Sequence, residues 1–244
     1  MTVKPKFIVL SHGRTGSTYL VEELDRHPSI RMFSEIFHET RDQRPDVNGK
    51  IWHDGMDSWD FVQDNVYSRR PHGALTTGFK LFYFHVRGAD NQIWNELQND
   101  RSISPILLHR KNIFASFVSE ERARNTNVWH PTGKDDAYEV SVGITLDVGK
   151  AREFHDRTMA EQQFGKKLVA DREHFFMTYE DLLEDAPGIL GLLLDYLGLS
   201  SGGWEPAPFH RGSADKDRTQ IANIDEVSDF LKEKDALWML KPFL

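Results

Sequence analysis

Residues 11–18 of the sequence, SHGRTGST, bring glycine, hydroxyl side chains and one arginine together in a short stretch. The stretch follows an apolar run at residues 7–10 and precedes apolar residues at helical spacing. A turn of this kind between a strand and a helix presents backbone N–H groups at the helix N-terminus, where anions bind. Arg14 adds a cation, and Ser17 and Thr18 add hydroxyl donors. The stretch therefore predicts a phosphate site.

The loop lacks the lysine of the ATP- and GTP-binding pattern G-x-x-x-x-G-K-[ST]. Since that lysine contacts the β and γ phosphates, its absence argues against ATP chemistry. Gly13 and Gly16 are expected to allow the tight path of the chain. The loop alone leaves a second interpretation open, in which Ser17 or Thr18 merely caps the following helix.

A second candidate anion site lies further along the chain, in ILLHRKNIFASFVSEERARNTNVWH. Arg110 follows a short apolar run, and Ser119 stands nine residues later in a segment predicted as a helix from about residue 113. An arginine at the end of a buried strand can bind an anion, with the serine hydroxyl as a further donor. Ser116 is an alternative to Ser119.

Three further residues suit acid–base chemistry and charge stabilisation. Glu35 lies among apolar residues in MFSEIF and is the first candidate for a general base, with a pKa that partial burial should raise. Lys80 lies inside an apolar strand in TTGFKLFYFH, where a lysine is either on the exposed side of an edge strand or functional. His85 is the alternative base.

The predicted elements place these residues at one end of a sheet. Strands alternate with helices, which is typical of an α/β three-layer sandwich with a central, mostly parallel sheet. Ligands bind such sheets at the carboxyl ends of the strands, where Arg14, Lys80 and Arg110 are expected. The strands are predicted at residues 7–10, 78–84, 105–109 and 174–178.

The stretch RTGSTYLVEELDRHPSI, followed by SEIF, resembles the opening of sulfotransferases that use 3′-phosphoadenosine 5′-phosphosulfate (PAPS). ARNTNVWH resembles a stretch of the bacterial carbohydrate sulfotransferases related to trehalose and nodulation-factor sulfotransferases. The resemblance implies a P-loop-like sulfotransferase fold in which Arg110 and Ser119 hold the 3′-phosphate. It also implies the residues that grip the 5′-phosphosulfate: Arg14, Thr15, Gly16, Ser17 and Thr18.

Two later stretches extend the resemblance. FFMTYEDL resembles the Y-E-D-L motif that follows a core strand in the same family, where it supports the site from below. HRGSADKDRTQIANIDEV resembles the family's cofactor-closing loop before a terminal helix. Candidate nucleotide contacts in this loop are Arg211, Lys216 and Arg218.

The resemblance implies sulfuryl transfer from PAPS to a hydroxyl of a carbohydrate or other small molecule, by in-line displacement, leaving adenosine 3′,5′-bisphosphate (PAP). Glu35 would be the base and would meet the acceptor, Lys80 would contact the leaving phosphate oxygen, and His85 is the alternative base. Trp52 and Trp129 are candidates for stacking on the acceptor. The alternative functions are a P-loop-class small-molecule kinase and a non-catalytic nucleotide-binding module.

Composition sets the remaining expectations. The 244 residues, 39% of them hydrophobic, suit one domain over residues 1–244, with an excursion around 38–75 and a closing loop around 200–220. A net charge of −8 argues against a general nucleic-acid binder. The absence of cysteine excludes disulfides and thiolate chemistry, and no metal-ligand spacing occurs, so we expect no metal. Short apolar runs predict a cytoplasmic protein without a membrane span, and a homo-oligomer is possible.

Overall fold

The computed structural model describes residues 2–68, 73–85, 92–127, 129, 143–209 and 221–244. The chain divides into two compact units. The first comprises Met1–His109 and Glu161–Phe209, and the second comprises Arg110–Ala160 and His210–Leu244. The single domain expected from the sequence stays a prediction.

The first unit contains a five-stranded sheet in the order β2-β3-β1-β4-β5, and every neighbouring pair is parallel. The four predicted strands are present. β2 was not predicted, because it is a four-residue segment that includes Arg31 and becomes a strand by pairing with β3. The strands are β1 (Lys6–Ser11), β2 (Ile30–Phe33), β3 (Thr76–Phe82), β4 (Ile103–His109) and β5 (Phe175–Thr178).

Both faces of this sheet are buried. Phe7 and Val9 pack on one side of β1, whereas Ile8 and Leu10 pack on the other, which explains the uninterrupted apolar run. Burying one such side chain contributes about 1.5–3 kcal/mol. Helices cover both faces, so the predicted three-layer α/β sandwich with a parallel sheet is confirmed. One layer contains α1 (Ser17–Arg26) and α6 (Tyr179–Leu197), and the other contains α2 (Ser58–Phe61), the π-helical turn Val62–Tyr67 and α3 (Gln92–Asn99).

The helix ends follow local chemistry. α1 ends at Arg26 with His27 as its C-cap, as the His-Pro step predicted. α6 begins with a capping box, in which the Thr178 hydroxyl accepts from the Asp181 N–H at 3.2 Å and the Asp181 carboxylate accepts from the Thr178 N–H at 2.8 Å. Within the described residues, no helix is long and apolar enough to cross a bilayer.

The second unit is built from helices around an apolar core of its own. The side chain of Asn112 caps α4 by accepting from the Ala115 N–H at 2.8 Å. The elements are α4 (Ile113–Thr126), the part of α5 (Val148–Val169) up to residue 160, α7 (Ile224–Glu233) and the 3₁₀ helix Leu237–Phe243. The final helix begins next to Asn223, where the sequence predicted it.

Candidate functional site

The loop between β1 and α1 contains two residues with left-handed backbone conformations. Arg14 has φ 64° and Gly16 has φ 78°. The expectation that Gly13 supplies this freedom is wrong, since its φ is not positive. A side-chain-bearing residue held in this region costs about 1–2 kcal/mol and is typical of functional loops. The conformation of Arg14 therefore supports a functional loop.

The N-terminus of α1 has no side-chain cap among the described residues. Gly16 is the N-cap, no side chain makes a capping hydrogen bond, and the first turn contains no acidic residue. The interpretation in which Ser17 or Thr18 caps the helix is therefore wrong, because both lie inside its first turn. The first N–H groups of a helix attract anions, and α1 keeps this capacity.

Thr15 lies beneath the loop and is fully buried. Its hydroxyl lies 2.8 Å from the Ser11 hydroxyl and 3.0 Å from the His12 carbonyl, which accepts from it. Ser11 in turn donates to the Leu108 carbonyl at 2.7 Å, which ties the loop to β4. The Thr15 hydroxyl therefore holds the conformation of the loop. Of the polar groups of Thr15, only the backbone N–H suits the predicted contact with the cofactor.

Gly16 is closely packed by aromatic rings. A Cβ atom at this position would lie 2.9 Å from Phe209 Cζ and 3.3 Å from Tyr179 Cδ2. Tyr179 opens the Y-E-D-L motif, whose Asp181 completes the capping box of α6, and the role of the motif in supporting the site stays a prediction. Phe209 was missed, because nothing in the sequence around it distinguishes it from other tail residues.

Lys80 connects the first turn of α1 with Glu35. Its Nζ atom lies 2.8 Å from Glu35 Oε1 and 3.5 Å from the Ser17 hydroxyl oxygen, to which it donates. β3 lies between β2 and β1, and the Lys80 side chain is 1% exposed, so the edge-strand explanation does not apply. A buried lysine requires an anionic partner. Here that partner is Glu35.

Glu35 lies in the turn after β2, held by the buried residues Ile36 and Phe37. Burial acts to raise the pKa of its carboxyl, but the charge and hydrogen bond of Lys80, with smaller effects of His85 and His38, bring that pKa below its usual value. The expectation of a raised pKa is therefore wrong, because the sequence did not show that Lys80 contacts this carboxylate.

His85 is buried beside Glu35, with Nε2 at 3.7 Å from Glu35 Oε2. Burial lowers the pKa of His85 to about 4, against an opposing effect of Glu35, so the ring is neutral at pH 7. Its Nδ1 atom accepts from the Phe82 N–H at 3.3 Å, so the proton is on Nε2. His85 therefore directs an N–H toward Glu35 and has no free lone pair there, which favours Glu35 as the base.

The second candidate anion site belongs to the second unit. Arg110 is 5% exposed, and Ser119 on α4 is 7% exposed, whereas Ser116 is fully buried. The Ser116 hydroxyl has no hydrogen-bond partner among the described residues. The small exposure of Ser119 suits a ligand contact better than the complete burial of Ser116.

Comparisons with known proteins identify the fold. No protein-family model matches the chain. Nodulation protein H of Rhizobium tropici is 26% identical over 217 residues, which cover 85% of this chain and 78% of that protein. The solved sulfotransferase of Alicyclobacillus acidocaldarius matches with a TM-score of 0.53 and 12% identity, over 98% of this chain and 96% of that chain. The chain therefore has the fold of the sulfotransferases.

The resemblance and the P-loop-like fold predicted from the sequence are thereby confirmed. A mouse sulfotransferase complexed with PAP gives a TM-score of 0.47 and 12% identity, over 99% of this chain and 89% of that chain. Among the described residues, no group of three or more histidine, aspartate or glutamate side chains could hold a metal ion.

The two predicted acceptor contacts have different surroundings. Trp52 is buried, packed edge-on against Phe37 at 5.0 Å and beneath Arg44 at 4.5 Å. Its stacking role is not supported, because the ring is part of the core. Trp129 is 42% exposed, and its contact with the acceptor stays a prediction. The predicted tail contacts lie outside the described residues: Arg211, Lys216 and Arg218.

A second buried histidine lies at the end of β4 in the first unit. His109 Nε2 lies 2.7 Å from the Tyr83 hydroxyl. Burial, with smaller contributions from His12 and Lys166, lowers the pKa of His109 to about 3, and burial raises the pKa of Tyr83. The sequence contained no signal for this pair, because its members belong to different strand ends.

We expect the protein to lose stability as the pH falls from about 6.5 to 4.5. His85 and His109 stay neutral in the folded chain but bind protons near pH 6.5 once unfolded, so acid favours unfolding. Each histidine should contribute a slope of about 1.4 kcal/mol per pH unit. Urea unfolding at several pH values measures this slope. His109→Gln should remove the contribution that one of the two histidines makes to it. A free energy of unfolding that stays level across this range would contradict the assignment.

Proposed function

We propose that this protein is a sulfotransferase that moves a sulfuryl group from PAPS to a hydroxyl of a carbohydrate or other small-molecule acceptor. The observation that carries the proposal is the contact series from the first turn of α1 through Lys80 to Glu35. It joins an anion-binding loop to a carboxylate that can accept a proton. The acceptor class rests on the ARNTNVWH resemblance and on similarity to nodulation protein H.

The residues of the first unit fit the 5′-phosphosulfate of PAPS. The uncapped N–H groups of α1, the Arg14 cation and the buried Lys80 cation together suit a group with two negative charges. Gly16 leaves no room for a side chain beneath the loop, as a backbone cradle requires. When bound, PAPS supplies the sulfuryl group and leaves as PAP.

Side chains of this protein then act on both the acceptor hydroxyl and the leaving group. Glu35 accepts the proton of the acceptor hydroxyl as its oxygen forms a bond to sulfur. His85 Nε2 lies 3.7 Å from Glu35 Oε2, which is beyond hydrogen-bond distance, so the ring lines the site beside the carboxylate and does not hold it. Lys80 and Arg14 stabilise the negative charge that develops on the departing phosphate oxygen as its bond to sulfur breaks.

The proposal assigns the 3′-phosphate to Arg110 and Ser119, from their match to the family motif and from their burial. We expect PAP to raise the thermal unfolding temperature far more than 5′-AMP or ATP at equal concentration. Arg110→Ala should weaken PAP binding by about 2–5 kcal/mol, since it removes a desolvated charge, and should leave 5′-AMP binding unchanged.

Paired serine variants refine this experiment. Ser119→Ala should weaken PAP binding, whereas Ser116→Ala should not. Stabilisation by ATP but not by PAP would instead favour the P-loop kinase alternative, and binding of neither nucleotide would remove the sulfotransferase proposal. A screen of sugars with labelled PAPS then identifies the acceptor.

A further inference from the structure

We propose that Lys80 pairs with Glu35 in the free chain and turns to the anionic donor when it binds, so that loading the donor frees the Glu35 carboxylate for the acceptor. The inference rests on the proposed function, and adds an order to it: the donor binds first and the base becomes available second. The proposal concerns the same site, and the residues that it involves belong to the first unit.

One oxygen of the Glu35 carboxylate is engaged by Lys80 in the free chain, and the other lies beyond hydrogen-bond distance of two histidine rings. Lys80 Nζ lies 2.8 Å from Oε1, while His85 Nε2 and His38 Nε2 lie 3.7 Å and 4.0 Å from Oε2. The Glu35 side chain is only 19% exposed. An acceptor hydroxyl that approaches Glu35 in this state must compete with the ammonium group of Lys80 for Oε1. The free chain therefore holds its base in an occupied state.

Lys80 can exchange partners with little movement. Its Nζ atom already contacts the Ser17 hydroxyl in the first turn of α1, at 3.5 Å, where the phosphosulfate is proposed to bind. The side chain is 1% exposed, so its charge has no access to water as an alternative partner. A phosphosulfate has two negative charges, against one on Glu35. The donor therefore attracts Lys80 more strongly than the carboxylate does.

Donor binding disfavours the carboxylate form of Glu35 through two effects. Withdrawal of Lys80 removes the main group that favours the carboxylate form, and the arriving negative charges disfavour it further. The other groups that face this cluster do not offset this change. His85 is neutral, His38 contacts Glu35 only at 4.0 Å, and Arg44 is engaged by Asp54 at 2.9 Å. Glu35 becomes a stronger base only when the donor is present.

The test follows the titration of the Glu35 carboxyl by carbon NMR, in wild-type protein with ¹³C-labelled glutamate, free and saturated with PAP. Glu35→Gln assigns the resonance by its disappearance. PAP saturation should raise the titration midpoint of Glu35 by about one pH unit or more. Glu173, paired with Lys4 at 2.9 Å near the opposite strand ends, is the matched control and should not shift. Its resonance is assigned with Glu173→Gln.

Lys80→Met supplies the second comparison. Its Glu35 midpoint should already be high without PAP, and PAP should move it less than in the wild type. PAP that binds while the wild-type Glu35 midpoint stays level or falls would overturn the partner exchange and leave the proposed function standing. Failure of PAP to bind at all, measured by calorimetry on the same sample, would remove the proposed function itself. The two failures are thus distinguishable.

Discussion

Glu35→Gln is expected to lower kcat by about 10²–10⁴-fold, because the amide does not accept the proton of the acceptor hydroxyl. PAP should bind the variant at least as tightly as the wild type, since a neutral amide in place of the carboxylate 2.8 Å from Lys80 competes less strongly with the phosphate for the ammonium group. The measurement combines turnover of labelled PAPS, with an acceptor from the sugar screen, and calorimetric PAP binding. Loss of turnover without loss of binding separates a catalytic role from a structural one.

His85→Gln is the comparison for this experiment. The glutamine amide can still donate an N–H toward Glu35 Oε2, so the loss of turnover should be much smaller than for Glu35→Gln. Glu173→Gln, at the other end of the sheet, should be neutral. If His85→Gln abolished turnover while Glu35→Gln kept it, His85 would be the base and the tautomer inferred from the Phe82 N–H contact would be wrong.

Gly16→Ala is expected to destabilise the fold by about 1–2 kcal/mol from backbone conformation alone, because φ 78° disfavours a residue with a Cβ atom. The new methyl group would also lie 2.9 Å from Phe209 Cζ, so the ring or the first turn of α1 must move. PAP binding should weaken more than tenfold, since a displaced turn no longer directs its N–H groups at the phosphate. Urea unfolding and calorimetry measure the two effects.

Gly13→Ala is the matched control in the same loop. Gly13 has no left-handed φ, and nothing lies within 4 Å of a Cβ atom placed there. Its substitution should change the free energy of unfolding by no more than about 0.5 kcal/mol. Equal destabilisation by the two alanines would show that the close contact with Phe209 is not what requires glycine at position 16.

Local patterns in the sequence were sufficient for the architecture. An uninterrupted apolar run such as residues 7–10 requires burial on both sides, and the alternation of such runs with helical segments leads to a parallel sheet covered by helices. β2 and α3 were missed, because their short segments are stabilised by pairing and packing. Tertiary contacts outweigh weak local preference in such segments.

The sequence by itself determined which chemical groups enter the site: a Lys-free loop with Arg14, a carboxylate at Glu35 and a lysine within a strand. Those are consequences of residue type and of strand ends that meet at one edge of a sheet. Only the tertiary structure decided that Lys80 pairs with Glu35, that a backbone N–H sets the His85 tautomer, and that Trp52 is core. These outcomes depend on register, burial and distances of a few ångströms between residues far apart in sequence, which no local pattern encodes.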